Sequence, residues 1–355
     1  MKVMKKGTVS IFFCTLMMIT AIVPISATTL PEKTSYPIGK GNTLYVGGLG
    51  PNNYTKIQDA INDATAGDTI FVYDDSSPYH ENIIIEKSIT VRGENRETTV
   101  ILGNGSSDDI IVNISADDVS ISGFTIQPNG GHPTGIAVYK NYTGPDFWKM
   151  DAIQNVTISD NIIRDTWRGI NAIRLNHGTI NGNTVEHCVA DVGIYLLISS
   201  NNAITNNYVT NCLGDGILID GMWSIGSIKT NHLYPRYENN SISQNTITSN
   251  RWGIEVNSGP VNTKIYENNI TDNHELGILI TFAWKTEITR NNFINNYNNA
   301  HFNVDLFTQL LKNSWNNNYW DESKKVIVTI QGTFIFLPLI AFDWHPAQEP
   351  YDIGE

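Results

Sequence analysis

Cysteine is nearly absent: three residues in 355, with Cys14 inside an N-terminal apolar run and only Cys188 and Cys212 beyond it. Two thiols are too few for a disulfide scaffold. Basic residues are also scarce, 23 against 35 acidic ones, so the chain lacks the basic face that nucleic-acid binding requires. Long hydrophobic runs are confined to the N-terminus. The later apolar stretch from Val326 to Phe342 is interrupted by Gln331, Gly332 and Pro338 and reads as strand, turn and strand.

The N-terminal run has the pattern of a secretory signal over residues 1–27. Lys2, Lys5 and Lys6 precede apolar Val9 to Ile25, and Ser26-Ala27 supplies small residues for cleavage. An uncleaved anchor is the alternative, because the run is nearly long enough to span a bilayer. Cleavage leaves 20 basic residues against 35 acidic ones, a net charge of −15, and no transmembrane span in the mature chain. The expected location is secreted or cell-surface. Residues 28–41 read as a linker.

What the chain has in quantity is a repeat. The hexapeptides ISGFTI, ISDNII, INGNTV, ITNNYV, ISQNTI, IYENNI and ITRNNF recur, with fourth residues Phe124, Asn161, Asn183, Asn207, Asn245, Asn268 and Asn291. The steps between them are 37, 22, 24, 38, 23 and 23 residues. A Gly-Ile pair follows each of the first six, at Gly135, Gly169, Gly193, Gly216, Gly253 and Gly277. Short β-type segments at a fixed period of this size mean a solenoid. Three short strands per 22–24 residues predict an all-β, single-stranded right-handed parallel β-helix over 42–311. Inward Ile and Val would stack from coil to coil.

A buried amide is costly unless it is bonded. The fourth-position residues Asn161, Asn183, Asn207, Asn245, Asn268 and Asn291 are therefore expected to form a ladder, bonding one another and the turn backbone. That role is structural. The Gly-Ile glycines suit either a positive φ or a close approach between coils. Ahead of the repeats, Ile57, Ala60, Ile61 and Ala64 have helical spacing, with Thr55 and Gln58 as a capping box and Gly67 as the stop. This predicts a short helix near 54–66 that plugs the open end of the solenoid. Residues 312–355, rich in Trp and Tyr, would cap the other end.

The helix-cap opening, the repeats, and the tail NNNYW with FDWHPAQEPYDI together resemble the NosD-like family of secreted archaeal parallel β-helix proteins. The similarity covers nearly all of the mature chain and is specific for fold rather than activity. Related repeats occur in polysaccharide lyases, hydrolases and epimerases, in surface proteins, and in the NosD protein of nitrous-oxide reductase maturation. The resemblance thus implies three functions: polysaccharide or cell-envelope binding, polysaccharide cleavage, and periplasmic copper handling.

The two long steps mark where function is expected. An insertion between Tyr139 and Asn155 and another between Asp220 and Asn239 leave the coil at the same place, three rungs or roughly 14 Å apart. They carry Trp148, Trp223 and Tyr234. Outward slots between them hold Asn171, Ile173, Tyr195, Leu197, Leu218 and Asp220. Such an apolar outward stripe is either covered by the insertions as a satellite core or used as a groove for stacking on sugar rings. The second reading assigns Trp148, Tyr195, Trp223, Tyr234, Arg168 and Arg174 to substrate binding. Asp191, Asp215 and Asp220, on neighbouring coils, are the acid/base candidates for a glycosidase. Of the hydrolase pattern N-x-D…D-D…H-G, only His177-Gly178 is echoed. A lyase would use Arg168 or Arg174 as base, but no Asp/Glu cluster accompanies them for calcium. Cys188 and Cys212 share one interior corner and either stack or pair as a disulfide. A copper site would want further soft ligands. No metal ligands or cofactor are assigned. Seven Asn-x-Ser/Thr sequons, at Asn53, Asn104, Asn113, Asn141, Asn155, Asn239 and Asn269, permit glycosylation.

Overall fold

A computed structural model describes residues 41–105, 109–140, 150–221, 237–304, 313–321, 327–334 and 337–353. Each coil contributes three short strands, as in Thr179–Asn181, Thr184–Glu186 and Ile194–Leu197. Apart from the C-terminal hairpin, the described strands pair in parallel and in register from coil to coil. Ile158 sits on Ile180, Ile180 on Ile204, and Ile204 on Ile242. The chain is a right-handed parallel β-helix with a helical cap at one end and a hairpin cap at the other. No helix among the described residues is long and apolar enough to cross a membrane.

The interior is a set of columns of identical or similar residues. Ile136, Ile170, Ile194, Ile217, Ile254 and Ile278 form one, and all are fully buried. Stacked branched side chains pack at the density of a solid core without any helix to cover them.

The asparagine ladder forms. Each Oδ1 accepts two bonds from the preceding asparagine. Asn183 donates to Asn207 Oδ1 from its backbone N–H and from Nδ2, both at 3.0 Å. Asn207 does the same to Asn245, both at 2.9 Å, and its Nδ2 also reaches Ile180 O and Thr205 O. The ladder continues beyond Asn291 to Asn318 and ends on the buried carboxylate of Asp343. At the other end Phe124 N–H donates to Asn161 Oδ1. Two further ladders were not expected: Asn250–Asn273–Asn296 at the second corner and Asn202–Asn240 at the third. Cys188 and Cys212 occupy the same interior corner as Asn250, whose Oδ1 accepts from Cys212 N–H; both cysteines are free thiols.

The turns that deliver these asparagines are left-handed. Asp160, Asn206, Gln244, Glu267, Arg290 and Asn317, each one residue before a ladder asparagine, have φ between 54° and 58°. Asn and Asp adopt this conformation more readily than other residues with a Cβ. The Gly-Ile glycines, by contrast, are not at positive φ. Their reason is close approach. A Cβ on Gly169, Gly193 or Gly216 would lie 2.6, 2.7 or 2.8 Å from the carbonyl oxygen of the next glycine in the column.

The N-terminal plug is the helix Ile57–Asp63, with Ile57, Ala60 and Ile61 buried. Its expected capping box is absent. Glu81, from the following coil, accepts the free N–H groups of Ile57 at 2.8 Å and Gln58 at 3.0 Å. Gln58 instead pairs with the backbone of Ile84, through Oε1 and Nε2. Lys87 Nζ binds the carbonyls of Ile61, Asn62 and Ala64 at the other end. The helix is thus capped at both termini by the solenoid it closes. At the far end, strands Val328–Phe334 and Leu337–Asp343 pair antiparallel, and Trp320 stacks on Phe293 with ring centroids 4.5 Å apart.

Candidate functional site

The outward slots of the third strand of each coil form a continuous row: Asn171, Tyr195, Leu218, Glu255 and Leu279 lie on successive coils in register. A second row holds Ile173, Leu197, Asp220 and Asn257. Although these residues point away from the core, Asn171, Tyr195, Leu197, Glu255 and Leu279 are buried. Part of the reason is a satellite cluster in which Val192, Tyr195, Leu197, Ile198 and Tyr237 pack together with Ile173 and Leu218. Tyr237 is the described end of the second insertion. Trp148, Trp223 and Tyr234, expected to line the face, lie outside the described residues.

Polar chemistry gathers beside this cluster. Arg168 forms an ion pair with Asp191 and places its guanidinium 4.9 Å from the centre of the Tyr195 ring. Three coils on, Arg251 repeats the arrangement. It bonds Glu275 at 2.9 Å and lies 5.0 Å over the Trp252 ring, whose Nε1 donates to Glu275. Between these two cation–aromatic–carboxylate groups stands Asp215, in register with Trp252 and only 7% exposed. Its Oδ1 has no hydrogen-bond partner. Burial, then the charges of Glu255 and Asp191, push the Asp215 carboxyl up to about 8 against the pull of Arg251. Glu255, 6% exposed, is pushed up to about 7 by burial and then by Asp220. Burial thus favours the protonated form of both carboxyls, so that at neutral pH Asp215 is mainly neutral and Glu255 only partly ionised.

The three aspartates have separate positions. Asp191 is committed to Arg168 and stands with Asp215 at one corner. Asp220 lies at the opposite end of strand Asp215–Asp220, which extends roughly 17 Å, and accepts from the Tyr195 hydroxyl at 3.3 Å. Burial and then Asp220 push that hydroxyl above its ordinary range. Glu255 lies between them and couples electrostatically to both. The structure thus adds Glu255, Arg251 and Trp252 to the candidate residues and replaces a compact aspartate trio with a line of carboxyls across three coils. Glu255 could have been found by reading the residue after each Gly-Ile pair, the slot Tyr195 also fills. Arg174 stands at the corner closing its strand, with φ 55°.

A family profile described as "Periplasmic copper-binding protein (NosD)" matches residues 61–236 and 224–335. The described residues do not fit a copper site. Among the described residues no group of three or more His, Cys, Asp or Glu side chains could hold a metal ion. The soft pair Cys188 and Cys212 is sealed inside the solenoid. A hydrogen bond with Cys188, together with burial, holds the Cys212 thiol well above its usual range, the opposite of the thiolate that a soft metal selects.

A cell surface glycoprotein of Methanothermus fervidus is 28% identical over 326 residues, covering 75% of this chain. The chain spans about half, 51%, of that relative's length. Among solved structures, the A-module of the Azotobacter vinelandii mannuronan C-5 epimerase AlgE4 superposes with a TM-score of 0.55 at 17% identity, covering 70% of each chain. That likeness is one of fold. With the profile spanning most of the solenoid and every coil in register, the chain belongs to the NosD family of parallel β-helix proteins.

Proposed function

We propose that this chain is an extracytoplasmic cell-envelope protein that binds polysaccharide along the outward face of its third strands, from the coils between the two insertions to those just beyond the second. The observation that carries the reading is the pair of cation–aromatic–carboxylate groups, Arg168–Tyr195–Asp191 and Arg251–Trp252–Glu275, flanking the proton-holding Asp215. Tyr195 is buried, so the partly exposed Trp252 is the ring available to a sugar, and guanidinium and carboxylate groups bond sugar hydroxyls. The raised Asp215 and Glu255 carboxyls lower the negative charge on this face of an acidic chain, which favours an anionic glycan there. The secretory signal pattern and the similarity to a cell surface glycoprotein support the location. A glycan array tests the reading. Wild-type protein binds a subset of glycans, and Trp252→Ala, Trp148→Ala and Trp223→Ala each weaken that binding at least tenfold. Unchanged binding in all three variants would remove its physical basis.

One observation favours a second reading, a polysaccharide-cleaving enzyme. Buried carboxyls near 7 and 8 are suited to general acid–base chemistry. Assays for new reducing ends and unsaturated products on uncharged and uronate polysaccharides decide the matter; no product across the panel rejects it.

A further inference from the structure

The structure sorts the sequons. Asn269 is locked beneath the C-terminal tail: its Nδ2 donates to Ile353 O at 2.8 Å, and its Oδ1 accepts from Asn292 at 2.6 Å. Asn53 is folded back on Gly47 O at 2.6 Å, against Gly48 and Gly50. Asn113 sits in the outward row with its Oδ1 buried. A sugar on any of these would have to displace packed structure. Asn141, and the hydroxyl residue Ser106 of the Asn104 sequon, lie outside the described residues.

Asn155 and Asn239 differ. Both are exposed and occupy the same left-handed corner, with φ of 58° and 62°, three coils apart along the column Asn155, His177, Asn201, Asn239. At such a corner the side chain projects from the solenoid, and each Nδ2 touches only a surface side chain: Asp118 at 2.9 Å and Asn201 at 3.2 Å. The hydroxyl residues Thr157 and Ser241 open the next strand and are partly exposed. Each asparagine is also the residue at which a long insertion rejoins the coil. Beside Asn239 lies a polar cleft of about 490 Å³, lined by Asn240, Ser241, Asn262, Lys264 and Glu287 as well as Asn239 itself. Its walls are donors and acceptors suited to a pyranose.

We propose that Asn155 and Asn239 are N-glycan acceptors and that the first sugar on Asn239 rests in this cleft. The donor is a lipid-linked oligosaccharide. Nδ2 forms a bond to sugar C1, the C1–O bond to the lipid phosphate breaks, the amide loses a proton, and the lipid phosphate leaves. The bulky, hydrated chains would line the rim of the face between the insertions. The inference is independent of what that face binds.

The test is glycopeptide mass spectrometry on the full chain, exported by an archaeal host whose own surface glycoprotein is verified as glycosylated in the same culture. Sugar adducts are expected on the Asn155 and Asn239 peptides and not on those of Asn53, Asn113 or Asn269. Asn155→Gln and Asn239→Gln should each remove one adduct. Unmodified Asn155 and Asn239, or equal occupancy at Asn269, overturns the assignment. For the cleft, Lys264 should react with an amine-directed reagent at least threefold more slowly in the glycosylated protein than in Asn239→Gln. Equal rates overturn the seating.

Discussion

Asn318 gives two hydrogen bonds to a single oxygen of Asp343: its backbone N–H lies 2.9 Å and its Nδ2 3.2 Å from Oδ2. Asp343 also accepts from Trp320 Nε1 and from the backbone N–H groups of Asn317 and His345. Each ladder asparagine gives its backbone N–H and one Nδ2 bond to the next asparagine, toward the C-terminus, so the last one needs an acceptor for these two donors. A carboxylate there does for the ladder what an acidic residue does at a helix N-terminus.

Asp343→Ala is therefore expected to cost about 3–5 kcal/mol, because five donors around a fully buried site lose their acceptor. Urea unfolding monitored by tryptophan fluorescence measures it. A loss below about 1 kcal/mol would mean the ladder needs no terminus.

Within the ladder, Asn207→Ala removes the acceptor of both Asn183 donors and leaves Asn245 Oδ1 with only the backbone N–H of residue 207. The expected loss is about 2–4 kcal/mol. Asn206→Ala, at the exposed left-handed turn beside it, should cost only about 1 kcal/mol, from backbone strain. Similar losses in the two variants would refute the distinction between them.

Glu81→Ala frees two helix N–H groups and should cost about 1–2 kcal/mol. Hydrogen exchange locates the effect. The amides of Ile57 and Gln58 should exchange faster while those of strand Ile194–Leu197 are unchanged.

The pH dependence has a definite sign. Asp215 and Glu255 are raised in the folded state to about 8 and about 7, so the folded protein binds more protons than the unfolded chain above their unfolded values near 4. Their contribution to stability is full below about pH 4 and is lost as pH rises toward 8. Melting temperature should fall between pH 5 and 8, and the double variant Asp215→Asn, Glu255→Gln should flatten that slope. An unchanged slope would show that neither group titrates there.

The repeat was legible because it is written in local terms. Coil length follows from hexapeptide spacing, strands from alternating Ile and Val, and the ladder from the cost of burying an unbonded amide. These determine the solenoid without knowledge of any long-range partner. Contacts between unlike residues on different coils were not legible. Glu81 caps the helix, Asp343 ends the ladder, and Asp215 becomes a neutral acid between two arginine–aromatic groups. Each of these contacts joins residues 23 or more positions apart. Spacing along the chain records which residues share a column. Burial, and the distance between charges on neighbouring coils, decide what those residues do, and these exist only once the coils are stacked.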